Sequence, residues 1–201
     1  METFHSLQGE GIHVGRSAFF IRLAGCSVGC SWCDTKASWP AAAHPLLSPE
    51  QLLDQTRQAA GAGAGFVVIT GGEPLHHNLN ELCQRLRHSQ LPLHLETSGV
   101  DPLSGSFDWI TLAPKGHRQP LPELLRACNE LKVVVHSPAD LELAEAMAAA
   151  AQADRAAAQP LHLLLQPGWN CAAGQELAIN HVRSNAQWRL SLQTHKWLGV
   201  P

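Results

Sequence analysis

Phe66-Val67-Val68-Ile69-Thr70-Gly71-Gly72-Glu73-Pro74 is the stretch on which the fold turns. Residues 66–70 are aromatic and β-branched, too short a run to favour a helix, and they stop at a glycine pair. A strand that is almost wholly apolar belongs to a sheet covered on both faces, which is a parallel sheet. Upstream, Ser48-Pro49-Glu50-Gln51 opens a helix, with Ser48 at the cap, Pro49 at the first helical position and Gln51 completing a capping box. That helix runs to about Gly61, where the Gly/Ala stretch 61–65 breaks it. Before it, Ala18–Leu23 reads as a first strand.

Downstream the alternation continues. Residues 77–90 read as a helix with Leu79, Leu82, Cys83 and Leu86 on one face, and Pro92–Thr97 as the next strand. Further strands are expected at 108–112, 131–135, 161–165 and 189–193, with helices near 121–129, 139–153 and 175–186. The Ala-rich stretch 146–158 reads as a solvent-facing helix end plus loop. Strands alternating with helices give a mainly parallel sheet. Six or seven strands with fewer full helices predict an incomplete α/β barrel of about six mainly parallel strands, not a closed eight-fold one. No repeat and no linker interrupts residues 1–201, which are expected to form one domain.

Composition sets the class. Hydrophobic residues make up 45% of the 201, and 17 acids against 14 bases leave a formal charge of −3. That balance gives no general attraction to nucleic acid or to an anionic membrane. No apolar run approaches the ~18 residues a spanning helix needs, and the opening Met1–His5 lacks the order of a secretory signal. A cytoplasmic protein is expected.

Six cysteines are present, and three of them, Cys26, Cys30 and Cys33, crowd into one loop after the first strand. A cytoplasmic chain of this size has no need of disulfides, so the trio reads as metal ligands. Cys83, Cys128 and Cys171 read as small buried hydrophobes. Gly25 and Gly29 give the loop its backbone freedom. Three thiolates can hold three corners of a [4Fe–4S] cube and leave one iron open. A zinc site is the alternative, and it needs a fourth ligand for which His44 and Cys171 are isolated candidates. The histidines, including the surface-like His76, His77 and His117, are too dispersed to make one metal site by spacing. Every feature of interest falls at the C-terminal end of a strand, where parallel α/β folds gather their chemistry. The cysteines follow one strand, Gly71–Pro74 the next, Glu96-Thr97-Ser98-Gly99 a third, Pro114-Lys115 a fourth and Gln166-Pro167 a later one.

The spacing Cys26-x3-Cys30-x2-Cys33 behind a first strand resembles the signature of the radical S-adenosylmethionine enzymes, and Gly71-Gly72-Glu73-Pro74 is similar to that family's second mark. In that family S-adenosylmethionine chelates the open iron, and one electron breaks its sulfonium–carbon bond to give a 5′-deoxyadenosyl radical. Phe4-His5-Ser6-Leu7-Gln8-Gly9-Glu10-Gly11, Phe20–Cys26, Cys33-Asp34-Thr35, Leu95–Gly99 and Gln193-Thr194-His195-Lys196 resemble the 7-carboxy-7-deazaguanine synthases. The resemblance implies an abridged barrel, a homodimer, Mg2+, and a flavodoxin or ferredoxin as electron donor. It also implies conversion of 6-carboxy-5,6,7,8-tetrahydropterin to 7-carboxy-7-deazaguanine with loss of ammonia, a step toward queuosine.

Residue roles follow from the same resemblance. Cys26, Cys30 and Cys33 would bind the cluster, while Gly72, Glu73, Ser98, Lys115 and Gln166 would line S-adenosylmethionine, with Glu73 receiving its ammonium. Lys115 would pair a carboxylate or the ribose. Thr35 would meet Mg2+, a cation that takes oxygen ligands. Ala113 stands where the family's pattern has serine, so a hydroxyl contact there is lost. On the substrate side, Gln8 and Glu10 suit a pterin edge that offers donors and acceptors together, beside Gly71. Arg22 has the fork geometry for the substrate carboxylate. Gln193 and His195, read as the end of the last strand, would close the pocket, and the terminal carboxylate of Pro201 would accept from the guanidine-like edge. The loop from Ser38 to Pro45 is expected to cover the cluster. Competing readings are a glycyl-radical-enzyme activating protein and a structural zinc module.

Overall fold

The computed structural model describes residues 2–153, 155 and 159–201. Its eight strands form one sheet in chain order. β1 (Glu2–Leu7) and β2 (Ser17–Leu23) pair antiparallel. From β2 onward every pairing is parallel, through β3 (Val67–Gly71), β4 (Leu93–Thr97), β5 (Trp109–Leu112), β6 (Glu130–Val135), β7 (His162–Pro167) and β8 (Trp188–Leu190). Helices α1 (Pro49–Gly61), α2 (Asn80–Leu86), α3 (Pro122–Ala127), α4 (Pro138–Gln152) and α5 (Ala172–Ser184) supply crossovers, and the short α6 (Thr194–Leu198) closes the chain. β1 and β8 stand at opposite edges of the sheet, which is the open, partial α/β barrel expected, with eight strands instead of about six. No described helix is long and apolar enough to cross a membrane.

Two elements differ from expectation. β1 precedes the strand expected to be first, and its edge position, half open to solvent, leaves it no apolar run to announce it. The last strand is three residues, not 189–193. Gln193 leaves the sheet to precede α6, and His195 sits in that helix.

Local rules explain the helix starts. Ser48 Oγ accepts from the Gln51 amide at 3.2 Å while Gln51 Oε1 accepts from the Ser48 amide at 2.8 Å, the reciprocal box expected. α4 opens the same way, with Ser137 and Asp140. The main core lies between sheet and helices and holds Ile69, Leu95, Leu112, Leu131, Val133 and Leu165. Met147, Ala148 and Ala151 of α4 are buried in it while Ala146, Ala149, Ala150 and Gln152 are exposed, so the helix end at 146–152 turns one face to solvent as expected and packs the other, through mostly small side chains, against the sheet. Residues 154 and 156–158 of that Ala-rich stretch lie outside the described ones. Cys83 and Cys128 are buried as expected, whereas Cys171 is half-buried and caps α5 by accepting from the Gly174 amide.

The other face of the sheet lines the barrel interior. Its floor is aromatic: Phe66 and His94 pack at 4.3 Å between ring centroids, Trp109 and His162 at 5.6 Å, and His13 reaches in to lie 4.7 Å from His94 and 4.5 Å from Trp109. Burial, with Arg16 and His162 nearby, pulls His13 down to about 4. Burial and the neighbouring His13 and Arg16 pull His94 down to about 3. Both folded values lie below the ordinary 6.5, so the fold binds fewer protons than the unfolded chain. The stability carried by neutral rings is therefore complete above that value and lost as pH falls through it toward about 4 and then about 3. His94 alone contributes a slope of about 1.4 kcal/mol per pH unit in that window. Denaturant midpoints measured from about pH 7 to about pH 4 should fall with acid, and His94→Phe should flatten the profile. An unchanged slope in the variant refutes the assignment.

Candidate active site

A cavity of about 450 Å³ opens at the C-terminal ends of the strands. All sixteen residues singled out from the sequence line it: Gln8, Glu10, Arg22, Cys26, Cys30, Cys33, Thr35, Gly71, Gly72, Glu73, Ser98, Lys115, Gln166, Gln193, His195 and Pro201. They come from six strand ends and from both termini of the chain.

The wall at β2 and β3 is set by glycines. The Gly72 amide donates to the Leu23 carbonyl at 2.8 Å and the Glu73 amide to the Gly25 carbonyl at 3.0 Å. A Cβ on Gly72 would stand 2.9 Å from the Cys26 Cβ, closer than carbon atoms tolerate. Gly71 holds φ +135°, which L side chains rarely adopt.

Glu73 is 2% exposed and takes four protein donors: the Leu75 amide at 3.1 Å, the Thr97 hydroxyl, and the amide and hydroxyl of Ser98. A carboxylate has about four lone-pair sites. Through these contacts Glu73 pins β3 to β4.

The cysteine loop is braced from outside by the histidines read as surface residues. His77 donates a ring N–H to the Ala24 carbonyl at 2.7 Å, and His117 donates to the Val28 carbonyl at 2.9 Å. His76 Nε2 accepts from the Ser27 amide at 3.1 Å, which leaves Nδ1–H to donate to Asp101. From the other side, the amides of Gly25 and Cys26 donate to the carbonyls of Ser38 and Trp39, so the segment after residue 35 does pack over this loop.

All three thiols are free. Burial raises Cys26 and Cys30, and each also feels the neighbouring cysteines, so the trio shares one electrostatic environment. Lys115 opposes this at Cys30, and its own ammonium is pushed down by burial. Among the described residues, no three or more His, Cys, Asp and Glu side chains gather closely enough for a single ion. A zinc ion needs its ligands about 2.3 Å from one point, whereas a cube spreads its thiolates over separate irons. The two zinc candidates lie elsewhere. His44 donates to the Ala37 carbonyl, Cys171 caps α5, and neither lines the cavity.

The substrate side is a polar network. Gln8 donates to Glu96 at 2.9 Å, Gln193 donates to Glu10 at 2.9 Å, and Lys132 is ion-paired with Glu10. Burial pushes Glu10 up, but the Lys132 charge, with hydrogen bonds from Lys132, Gln193 and Gln166, holds it well below the carboxylate range. Ser191 donates to Gln166 at 2.8 Å. Arg22 pairs with Glu2 and lies over Phe4, yet it still lines the cavity and has further N–H donors to offer. Thr35 Oγ1 lies 3.6 Å from Cys33 Sγ. Ser6 donates to the Pro201 carbonyl at 2.9 Å, and Thr194 donates to Gly9, which brings α6 and the C-terminus across the mouth.

A family model described as the Radical SAM superfamily matches residues 20–140. The 7-carboxy-7-deazaguanine synthase of Prochlorococcus marinus is 53% identical, covering 100% of this chain and 96% of its own length. Its counterpart in Synechocystis sp. is 49% identical over 99% of this chain and 91% of its own. The chain belongs to the radical SAM superfamily, and within it to the 7-carboxy-7-deazaguanine synthases. A solved structure described as QueE from Escherichia coli superposes with TM-score 0.80 at 33% identity, covering 96% of this chain and 92% of that one. Membership makes this a radical SAM enzyme, which works with a [4Fe–4S] cluster and S-adenosylmethionine, and it displaces both the activating-protein and the zinc-module readings. The three free thiols around one cavity fit such a cluster.

Sequence reasoning set Glu96 and Thr97 at a chemistry-bearing strand end without giving them a role, and missed Lys132 as part of the wall. The available signal was a charge at every second position of an otherwise apolar strand, as in Glu130-Leu131-Lys132-Val133. Gly72→Ala tests the wall directly. The variant should keep its far-ultraviolet dichroism but bind little iron on anaerobic reconstitution, because Cys26 is displaced; full iron content would refute the close approach.

Proposed function

We propose that this chain contracts 6-carboxy-5,6,7,8-tetrahydropterin to 7-carboxy-7-deazaguanine with loss of ammonia, as one catalytic domain. The carrying observation is that one cavity is lined both by three free thiols and by a polar network of Gln8, Glu10 and Glu96. When bound, the cluster and S-adenosylmethionine supply one-electron cleavage of a sulfonium–carbon bond.

The protein's own residues do the rest. Cys26, Cys30 and Cys33 would hold the cluster, and Gly72, Glu73, Ser98, Lys115 and Gln166 would line the cofactor, with Glu73 also fixing that wall. Lys115 carries the cation for a carboxylate. Glu10, ionised, accepts from the N–H edge of the ring while Gln8 supplies the donor that a ring carbonyl needs. Arg22 takes the substrate carboxylate by sharing its fork with Glu2. Gln193, His195 and the terminal carboxylate of Pro201 close the pocket from α6. Holding the target C–H within reach of the radical source, with water excluded, is where the protein lowers the barrier. Thr35, which lines the cavity, would give Mg2+ an oxygen ligand of the kind that cation takes. The homodimer, a flavodoxin- or ferredoxin-type donor and the cytoplasmic location belong to the same proposal, the last supported by six free thiols.

Incubating anaerobically reconstituted protein with the pterin and a reductant should yield the deazapurine chromophore and ammonia in equal amounts; absence of both overturns the reading. Cys30→Ala should fall from about four irons per chain to few, with 5′-deoxyadenosine formation reduced by orders of magnitude. Chelation that leaves the iron in place should lower turnover severalfold, and Mg2+ should restore it. Turnover indifferent to Mg2+ removes Thr35 from the metal.

A further inference from the structure

β6 alternates. Leu131, Val133 and Val135 face the core, which turns Lys132 toward the cavity with its side chain 5% exposed. An ammonium at that depth is costly unless paired. Three carboxylates surround it: Glu10 by ion pair and hydrogen bond, Glu96 and Glu130 through their fields. Glu96 and Glu130 sit in one layer, each opposite Thr111 of β5. Lys115 also faces this space, from the loop after β5, and Arg22 and Lys196 line the same cavity, Lys196 donating to Gln193 at 3.3 Å. Of the three carboxylates Glu130 is buried and Glu10 and Glu96 are half-buried, and among the described residues Lys132 is the one ion-paired with Glu10.

We propose that Lys132 is a positioning residue for substrate recognition: its ammonium keeps Glu10 a pure hydrogen-bond acceptor, so the cavity takes a ring edge built of N–H donors. This rests on the reading that Glu10 meets the pterin edge. Like charges in a desolvated space disfavour ionisation. With Lys132 present, Glu10 stays ionised although burial opposes it. Glu130 shows the other outcome: burial raises it, and the same lysine, which it does not hydrogen-bond, offsets this only in part. Without Lys132, burial and the neighbouring Glu130 act on Glu10 against only the hydrogen bonds from Gln193 and Gln166. A protonated Glu10 points a donor at a donor, and both groups lose their partner.

The test uses reconstituted enzyme with Lys132→Met. KM for the pterin should rise about tenfold or more near neutral pH and fall back as pH rises toward about 9 and Glu10 ionises, with kcat changing far less. Lys132→Arg should restore the flat profile. Infrared difference spectra of the cluster-free protein give a second readout: Lys132→Met should show a protonated-carboxyl band absent from the wild type and from Glu10→Gln/Lys132→Met. An unchanged KM, a KM raised equally at every pH, or no new carboxyl band overturns the proposal. If the carboxyl band appears but Glu10→Gln leaves KM unaltered, the contact between Glu10 and the pterin is what fails, and the recognition role falls with it. Should Lys132→Met not fold, Lys132→Gln, which is uncharged but still able to donate, carries the same two readouts.

Discussion

The contact of two side-chain-free residues with a neighbouring turn governs this molecule. Gly71 and Gly72 press the end of β3 against residues 23–26, and two backbone hydrogen bonds seal the approach. That contact orders the first cysteine, and the next residue, Glu73, turns back to bind the end of β4 through Thr97 and Ser98. Three strand ends are thereby locked by one tetrapeptide. Glycines are required by the approach distance, and the glutamate by the need to satisfy amides and hydroxyls that the sheet leaves free at its edge.

A partial barrel has an interior that must be filled, and here it is filled unevenly. Phe66, His94, Trp109 and His162 make an aromatic floor, with the Arg16 guanidinium 4.8 Å from the Phe66 ring centre. Above it, Glu96, Thr111 and Glu130 form a polar layer, and Lys132 stands two residues further along β6. Buried charges of this kind add little to stability when compared with a well-packed apolar core. Their retention in a cavity wall is explained by what they do to a ligand: they present fixed acceptors and fixed donors at known positions.

The alternation of strands and helices was legible because each apolar run is short and punctuated by glycine, proline or a cap, as at Ser48-Pro49 and at Gly71-Gly72. The binding side was legible too, since the chemistry-bearing residues follow strands and parallel sheets gather such ends. β1 was not legible, because an antiparallel edge strand with Glu2, Thr3, His5 and Ser6 looks like a loop when its partner is unknown. The end of the sheet was misplaced for a related reason. Ser191 and Gln193 look strand-like, but Ser191 donates to Gln166 and receives the Gly11 amide, and Gln193 is drawn to Glu10. Those partners lie far away in sequence, so no local pattern announces them. The bracing histidines were hidden likewise, since a ring bonded to a distant carbonyl reads as an exposed polar residue.

One loop ties the unlike halves of the interior together. Residues 8–13 place Gln8 and Glu10 in the cavity, rest the amides of Gly11 and Ile12 on Ser191 and Glu130, and send His13 into the aromatic floor. The chain end leans on the same loop through Thr194 and Gly9. Charging the floor with acid therefore does more than destabilise the fold. A protonated His13 faces Arg16 and His94 at close range, and the segment it would leave is the one that holds Glu10 against Lys132. β4, β5 and β6 supply the walls of the acceptor network, while this loop carries Gln8 and Glu10. Recognition at the top of the barrel is thus mechanically continuous with neutrality at its base.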